Sequence, residues 1–157
     1  VTMRAFGYAA GNALVEYSYA APEDCVDAGS GEFNQPIEHQ AIVTVGTIPA
    51  GKANVYVSLT SDKDVDVQII DEQTGENIVA WTGNSGTEGL LNGPSEACGT
   101  YQGLEYCYSG YNGVNGQKGH EWIRISGTTN RPVIMKAFGY AAGNALIEYS
   151  WGPNNGQ

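Results

Sequence analysis

The chain has 157 residues and a formal net charge of −10, and only 15% of its residues are charged. That length suits one domain with a sizeable buried core. The negative charge disfavours binding to nucleic acids and to anionic membrane surfaces, because both are negatively charged themselves. No apolar run is long enough to insert into a membrane. Divalent cations and neutral sugars remain compatible with this charge.

A segment at the start of the chain returns near its end. Residues 3–19 read MRAFGYAAGNALVEYSY, and residues 135–151 read MKAFGYAAGNALIEYSW. Before the final residue only two positions differ: an Arg becomes a Lys, and Val15 becomes Ile147. Both changes keep the chemical character of the side chain, so we expect the two copies to fold alike.

Each copy contains Gly-Asn near its centre, at residues 11–12 and 143–144. This pair is typical of a two-residue β-hairpin turn, so the sequence predicts a hairpin for each copy, with an apolar face on its second strand. An isolated two-stranded hairpin is marginal in water, so the N-terminal copy, residues 1–20, needs a core to dock on. The side chains expected to dock are Phe6, Tyr8, Val15, Tyr17 and Tyr19.

Three explanations of the duplication are open from the sequence alone. In the first, the parent protein is a tandem array with a period near 132 residues, and the first copy completes a neighbouring unit by strand donation. In the second, both hairpins belong to one sandwich and occupy related positions in its two sheets. In the third, the first copy is displaced and partly disordered. The first explanation favours a filament, because a head-to-tail contact that does not close on itself continues from unit to unit.

Short strands separated by turn residues dominate the rest of the chain. Residues 21–36 are acidic and carry Gly, Ser and Pro, so we interpret them as a linker. Residues 37–152 are predicted to form an antiparallel β-sandwich, jelly-roll-like, with about eight core strands. Residues 153–157 are a tail. The predicted strands are 41–48, 53–60, 64–71, 77–82, 104–109, 121–126, 133–140 and 145–151.

Two of the three cysteines flank the short loop CGTYQGLEYC. We expect Cys98 and Cys107 to form a disulfide, with reduced thiols as the alternative. Cys25 is then left in the predicted linker as a free thiol or as an intermolecular bridge to a neighbouring unit. The chain has no Asn-x-Ser/Thr acceptor for glycosylation, which fits secretion from a bacterial source.

Carboxylates recur at every second residue of SDKDVD, at Asp62, Asp64 and Asp66. In the predicted strand Asp64 and Asp66 share one face, and Asp62 precedes the strand and can bend toward them. Calcium prefers hard oxygen ligands such as these. The three residues are therefore a candidate calcium site, and a solvated acidic face is the alternative. An EF-hand is excluded, because the Gly and the distal Glu that it requires are absent.

The loop YSGYNGVNGQKGHEW, residues 108–122, leads into a predicted strand. Ile123 and Ile125 are expected to face the core, which places alternate residues on the outer face. An exposed Trp122 beside Tyr and Asn suits stacking on a sugar ring, and the alternative is a Trp covered by its own loop or by a neighbouring subunit. The candidate glycan or partner face comprises Tyr111, Asn112, His120, Trp122 and Arg124.

Catalytic groups are sparse. GNSG at residues 83–86 resembles a serine-protease nucleophile loop, but that fold needs a longer chain, and only two histidines are present. Glu105 and Glu121 would suit a glycosidase pair only if the fold brought them to a fixed separation. No phosphate-binding loop and no zinc-ligand spacing appears. We therefore predict that the protein is not an enzyme.

Two stretches carry a resemblance to a known class: VGTIPAGKANVYVSLTSDKDVDVQIIDEQTGENIVAW and GHEWIRISGTTNRPVIMKAFGYAAGNALIEYSW. They resemble the small accessory β-sandwiches at the C-termini of secreted bacterial proteases and nucleases, of the pre-peptidase C-terminal and proprotein-convertase P-like kinds. The likeness covers residues 40–151. It implies an extracellular, non-catalytic module that calcium sometimes stabilises, with Asp64 and Asp66 as ligands. The duplicated hairpin and the cysteine loop depart from that class.

The sequence favours a non-enzymatic structural module of a repetitive surface or matrix protein, located outside the cell. Its partners are copies of itself, which it joins head-to-tail into a filament by donating residues 1–20. The alternative is a monomeric calcium- or carbohydrate-binding accessory domain of a secreted hydrolase. Neither function involves nucleic acid or membrane insertion.

Overall fold

The computed structural model of the protein describes residues 28–79, 96–110 and 119–152. These residues form ten β-strands and no helix. Eight of the ten, all except β1 and β6, correspond to the strands predicted from alternation. In chain order the strands are β1 (Gly29–Ile37), β2 (Ile42–Ile48), β3 (Ala53–Ser61), β4 (Val65–Asp71), β5 (Asn77–Val79), β6 (Ala97–Tyr101), β7 (Leu104–Ser109), β8 (Gly119–Thr128), β9 (Val133–Gly139) and β10 (Gly143–Trp151).

The strands form two antiparallel sheets. The order is β1-β10-β3-β8-β7-β6 in the six-stranded sheet and β2-β9-β4-β5 in the four-stranded sheet. Without the β6–β7 hairpin, which extends the first sheet beside β8, this is the strand order of an eight-stranded jelly roll. The prediction of an all-β antiparallel sandwich is therefore confirmed.

The core lies between the two sheets, and alternation along the strands supplies it. In β3 the side chains of Val55, Val57 and Leu59 are each 0% exposed, and the residues between them lie on the outer face. Ile69 and Met135, from the four-stranded sheet, are also 0% exposed and belong to the same cluster. Each side chain of this kind contributes about 1.5–3 kcal/mol when it is fully buried.

β1 occupies the second half of the segment that the sequence analysis assigned to a linker, residues 21–36. It pairs along its whole length with β10 at the edge of the six-stranded sheet. An edge strand tolerates a proline, here Pro36. Gly31 lies under the ring of Tyr149, where a methyl group would overlap with ring atoms. The sandwich therefore begins at residue 29 instead of residue 37.

The repeated segment at residues 135–151 is a β-arch, and the hairpin predicted for it is wrong. β9 lies in the four-stranded sheet and β10 in the six-stranded sheet, so they pair with other strands and not with each other. The predicted turn, Gly143–Asn144, already belongs to β10. The chain crosses between the sheets through residues 140–142 instead. The N-terminal hairpin predicted for residues 1–20 lies outside the described residues.

The predicted disulfide between Cys98 and Cys107 is formed, and its two Cα atoms are 4.1 Å apart. The cysteines are direct cross-strand partners in the β6–β7 hairpin, whose first strand the sequence analysis missed. Gln102 and Gly103 form the turn with positive φ angles of 50° and 82°, which suits a two-residue hairpin. Closing so short a loop stabilises the fold by roughly 2–3 kcal/mol.

Candidate functional site

The repeated segment supplies one interior strand to each sheet, next to an edge strand in both. We call β9, the corner at residues 140–142 and β10 the arch. β9 pairs with β2 and β4, and β10 pairs with β1 and β3. Without the arch, four strand edges would be unpaired and both sheets would be divided. We call these four edges, together with the turns at residues 38–41 and 61–64, the arch site.

The turn at residues 38–41 holds one side of the arch corner through backbone groups. Gln40 N–H donates to Gly139 O at 2.6 Å, and Gly139 N–H donates back to a carbonyl of the turn at 3.0 Å. His39 Nδ1 lies 2.8 Å from Tyr140 O. These bonds satisfy polar groups at the point where the chain leaves one sheet for the other.

The turn at residues 61–64 holds the other side of the corner and uses side chains to do so. Asn144 donates its backbone N–H to Asp62 Oδ1 at 2.7 Å and its side-chain amide to Asp62 Oδ2 at 3.3 Å. The Ser61 hydroxyl donates to Asn144 O at 2.9 Å. The backbone hydrogen bond from Asn144 is the main cause that holds the pKa of Asp62 below its ordinary value. Asp62 therefore accepts the hydrogen bonds of Asn144 in its ionised, carboxylate form.

The corner has a sequence that the arch site requires. A side chain at Gly143 would place its Cβ 2.6 Å from Lys63 Cβ, so only glycine fits there. The corner residues 139–144 read GYAAGN, and residues 7–12 of the N-terminal copy read the same. Every group that the two turns contact in the arch is therefore available in the N-terminal copy.

The buried side chains of residues 135–151, within the arch, are also reproduced in the N-terminal copy. Only one of the five changes, because Ile147 corresponds to Val15. Loss of one methyl group from a core side chain costs about 0.5–1.5 kcal/mol, so the shorter residue is tolerated. The five, each at most 2% exposed, are Met135, Ala137, Phe138, Ala145 and Ile147.

The residues predicted to mediate assembly can be located only through their counterparts in the arch. Phe138 and Ile147 are buried. Tyr149 and Trp151 pack against the core and stack on each other, with ring centroids 6.4 Å apart. Tyr140 is 42% exposed, so we expect its counterpart to contribute least to docking. Outside the described residues are Phe6, Tyr8, Val15, Tyr17 and Tyr19.

The three aspartates predicted to bind calcium have three different environments. Asp62 bonds to the arch corner, and Asp64 accepts the N–H of Ala141 on its backbone carbonyl at 2.8 Å. Asp66 is only 3% exposed and lies against Glu121. In the described parts of the chain, no three Asp, Glu, His or Cys side chains are grouped as metal ligands. Calcium binding therefore stays a prediction, without a ligand set in the described structure.

Glu121 is a buried acidic residue that the sequence analysis did not assign to a binding site. It is 2% exposed, and its Oε2 accepts the N–H of Val67 at 3.0 Å. Burial, and then the charge of Asp66, raises the pKa of Glu121 well above its ordinary value. The alternation that turns Ile123 toward the core also turns Glu121 inward, and this signal was present in the sequence.

The outer face predicted for β8 is confirmed for two of its residues. Ile123 and Ile125 are 1% and 0% exposed, so Trp122 and Arg124 lie on the opposite face and are half-buried. His120 belongs to β8. Outside the described residues are Tyr111, Asn112, Cys25 and the tail at 153–157.

A groove of about 440 Å³ runs along the same face of the six-stranded sheet. Trp122 is next to it, as the cross-strand partner of Ser58. Glu32 and Glu148 are direct cross-strand partners in the groove, so a ligand there meets negative charge. Hydroxyl, carboxylate and aromatic groups of this kind can hydrogen-bond and stack on a neutral sugar. The lining includes Ser30, Glu32, Tyr56, Ser58, Glu148 and Ser150.

Glu105 and Glu121 do not form the glycosidase pair that the sequence analysis considered. Glu105 is exposed and accepts a hydrogen bond from the Ser126 hydroxyl at 3.4 Å, whereas Glu121 faces the interior. Carboxyl groups on opposite faces of one sheet cannot flank one glycosidic bond.

No protein-family model matches the sequence, and no curated protein is significantly similar to it. The resemblance to accessory sandwiches of secreted bacterial proteins therefore stays a prediction. Among the residues that the structure describes, no helix is long and apolar enough to cross a membrane. The disulfide is compatible with an extracellular location.

Proposed function

We propose that the protein is a non-enzymatic, extracellular structural module of a repetitive protein, and that residues 3–19 occupy the arch site of a neighbouring unit. One observation carries this proposal. Residues 135–151 supply an interior strand to each of the two sheets, and residues 3–18 repeat them with two conservative changes. The donated element is an arch, so it contributes one strand to each sheet of its acceptor.

The physical argument begins with the unpaired edges of an arch. Its two strands lie in different sheets, so neither can satisfy the other's backbone groups, and an isolated arch is unstable. A second arch sequence therefore needs a second arch site. The arch site within the described residues is filled by residues 133–151. The site of a neighbouring unit offers the same edges and the same two turns to residues 3–19 when that unit's own arch is absent or displaced.

The connection to β1 supports a head-to-tail arrangement. Trp151, at the end of the arch, is the cross-strand partner of Gly29, at the start of β1. Tyr19, the counterpart of Trp151, precedes Gly29 by only ten residues in the sequence. A linker of that length spans at most about 35 Å when extended. A unit and the neighbour that receives its N-terminal arch would therefore lie close together, as in a filament.

Removing residues 1–20 is expected to abolish assembly and to leave the melting temperature of the sandwich unchanged. The reason is that residues 29–151 already contain all ten strands of the described fold. Light scattering over a wide range of protein concentration measures the molar mass, and circular dichroism follows melting. If both copies belonged to one sandwich, the same deletion would unfold a monomer instead.

Two substitutions in the full chain test the proposal without a deletion, and the second of them is the control for the first. Val15→Asp should abolish assembly, because its counterpart Ile147 is 0% exposed. Tyr8→Ala should leave assembly intact, because its counterpart Tyr140 is exposed. A wild-type chain that stays monomeric at every concentration would contradict the proposal.

The groove beside Trp122 favours a second candidate function, carbohydrate binding by an accessory domain. The observation behind it is the combination of half-buried Trp122 and Tyr56 with hydroxyl and carboxylate groups on one sheet face. Neutral sugars fit this lining better than anionic ones, because Glu32 and Glu148 repel negative charge.

Trp122→Ala is expected to remove binding to neutral glycans on a glycan array. The substitution removes the aromatic ring on which the sugar would stack, and with it most of the contact area. We therefore expect the affinity for the glycan to fall about tenfold or more. Ser126→Ala on the same face of β8 is the matched control and should bind as the wild type does. Glycan binding that survives Trp122→Ala would contradict a site at this groove.

A further inference from the structure

The two cysteines of the disulfide have very different surroundings. Cys98 is exposed and lies in β6, the edge strand of the six-stranded sheet, beyond which the described residues place no further strand. Cys107 lies in β7, between β6 and β8, and is only 1% exposed. A thiol that approaches from solution therefore reaches the sulfur of Cys98 much more readily than the sulfur of Cys107.

Arg124 lies next to the buried sulfur. It is the direct cross-strand partner of Cys107, and its Nη2 donates a hydrogen bond to Cys107 Sγ at 3.6 Å. Its Nε is buried and has no hydrogen-bond partner within the described part of the chain. Glu105, on the same face of β7, is exposed and accepts its hydrogen bond from Ser126. The guanidinium can therefore stabilise negative charge on Cys107, because a cation beside a thiol lowers its pKa.

We propose that this disulfide is a thiol-exchange site, at which Cys98 is the sulfur that is attacked and Cys107 the sulfur that leaves. The incoming thiol first loses its proton to water, and its thiolate then forms a new sulfur–sulfur bond to Cys98. The bond between Cys98 and Cys107 breaks, and its electron pair stays on Cys107 as a thiolate beside Arg124. One disulfide is consumed and one is formed, so the exchange needs no oxidant.

The third cysteine of the chain cannot attack the disulfide of its own unit. Cys25 precedes Gly29, the start of β1, by four residues. β1 and β6 are opposite edges of the six-stranded sheet, five strand spacings or about 24 Å apart. Four extended residues and a disulfide together span at most about 21 Å. One row of cross-strand partners joins the two edges and consists of Ser30, Ser150, Tyr56, Arg124, Cys107 and Cys98.

The thiolate therefore comes either from Cys25 of a second copy of the chain or from a small thiol. Each chain has one Cys25 and one exchange site, so exchange between copies continues head-to-tail. Direct oxidation of two Cys25 thiols would stop at a dimer and would need an oxidant. The inference goes beyond the proposed assembly, because exchange with a small thiol requires neither a second unit nor residues 1–20.

Brief treatment of the wild-type chain with reduced glutathione tests the site without any variant. Iodoacetamide then blocks the free thiols, and mass spectrometry of peptides locates both groups. We expect glutathione on Cys98 and the alkyl group on Cys107, in about tenfold or greater excess over the reverse arrangement. Equal amounts of the two arrangements would overturn the inference, because they would show that exchange does not distinguish the two sulfurs. A disulfide that does not react with glutathione would overturn it as well.

Arg124→Ala is expected to slow the exchange with glutathione about three- to tenfold, because the leaving thiol loses the cation that lowers its pKa. Arg124→Lys keeps the positive charge and should retain most of the wild-type rate. Lys52→Ala removes a positive charge from the turn before β3 and is the matched control, with the wild-type rate expected. If Arg124→Ala exchanged as fast as the wild type, the role of Arg124 would be disproved.

A non-reducing gel of the full chain, incubated without oxidant and without added thiol, distinguishes the two sources of the thiolate. A ladder of covalent oligomers that Cys25→Ser abolishes would identify Cys25 of a second copy as the nucleophile. A chain that stays monomeric on this gel and still reacts with glutathione at Cys98 would identify a small thiol instead. The glutathione reaction should also occur in the chain without residues 1–20, so failure of the proposed assembly and failure of the exchange site are distinguishable.

Discussion

An aspartate in place of Ile147 is expected to unfold the sandwich in a chain that lacks residues 1–20, whereas the full-length variant is expected to stay folded. Ile147 is 0% exposed and lies between Phe33 and Leu59 on the neighbouring strands. A carboxylate there loses apolar burial and is desolvated, at a cost of about 5 kcal/mol or more, which approaches the whole stability of a small domain. If the proposal is right, the N-terminal copy of the full-length chain replaces the damaged arch and places Val15 at the equivalent position.

Circular dichroism and light scattering on four chains decide this prediction. Val15→Asp alone should keep the wild-type melting temperature, and the double variant with Ile147→Asp should be unfolded. Rescue of the single Ile147→Asp variant as an oligomer supports donation between chains. Rescue as a monomer contradicts it, because the N-terminal copy would then fill the arch site of its own chain. Full-length Ile147→Asp that unfolds like the truncated chain would show that the N-terminal copy does not bind the arch site.

Alternation made most of the strands predictable, because one face of strands such as β3 is buried and the other is more exposed, whereas β4 is buried at every position. In β3 the pattern of Val55, Val57 and Leu59 fixes the inner face without any knowledge of the partner strands. The same reasoning placed Trp122 and Arg124 on the outer face of β8. The order of the strands was not predictable, because it depends on which edges meet after the chain has crossed between the sheets.

The error at residues 135–151 has a physical cause. A hairpin and an arch have the same alternating strands, and they differ only in whether the connection turns within one sheet or crosses to the other. Three corner residues, 140–142, make that difference, and their identity as Tyr-Ala-Ala does not specify it. β1 was missed because its Gly, Ser and Pro residues are typical of a linker. Its pairing depends on β10 and on the ring that covers Gly31.

Buried polar contacts between distant segments were the least predictable part of the structure. Asp66 and Glu121 are 55 residues apart in the sequence, and only folding brings them together. Asp62 was predicted to bind calcium because its neighbours are acidic, and its hydrogen bonds with Asn144, 82 residues away, were not predictable from the sequence. Asp71, the last residue of a predicted strand, was given no role, and its hydrogen bonds from Tyr101 and Arg131 join segments that are distant in the sequence.

Asp71→Ala is expected to destabilise the sandwich by about 3–5 kcal/mol, because the carboxylate is 1% exposed and accepts four hydrogen bonds. Its Oδ2 accepts from the Tyr101 hydroxyl at 2.9 Å and from Arg131 Nη1 at 3.1 Å. Its Oδ1 accepts the N–H groups of Gln73 and Thr74 at 2.8 and 3.2 Å. The substitution leaves these donors without their acceptor and separates β4 from β6. Urea unfolding at pH 7 measures the loss.

The effect of Asp71→Ala on stability is expected to depend on pH, because the pKa of the carboxyl is lowered in the folded protein. Burial alone would raise the pKa of Asp71, but the hydrogen bonds from Tyr101, from the following turn and from Arg131 outweigh it and hold the pKa below its ordinary value. Such a carboxylate stabilises the fold above the ordinary pKa of about 4, and the contribution is lost as the pH falls through the folded pKa. Wild type and Asp71→Ala should therefore converge in stability in acid, while Glu72→Ala, an exposed neighbour, should match the wild type throughout. A difference between wild type and Asp71→Ala that persists unchanged into acid would mean that the lost stability comes from packing and not from the ionised carboxylate.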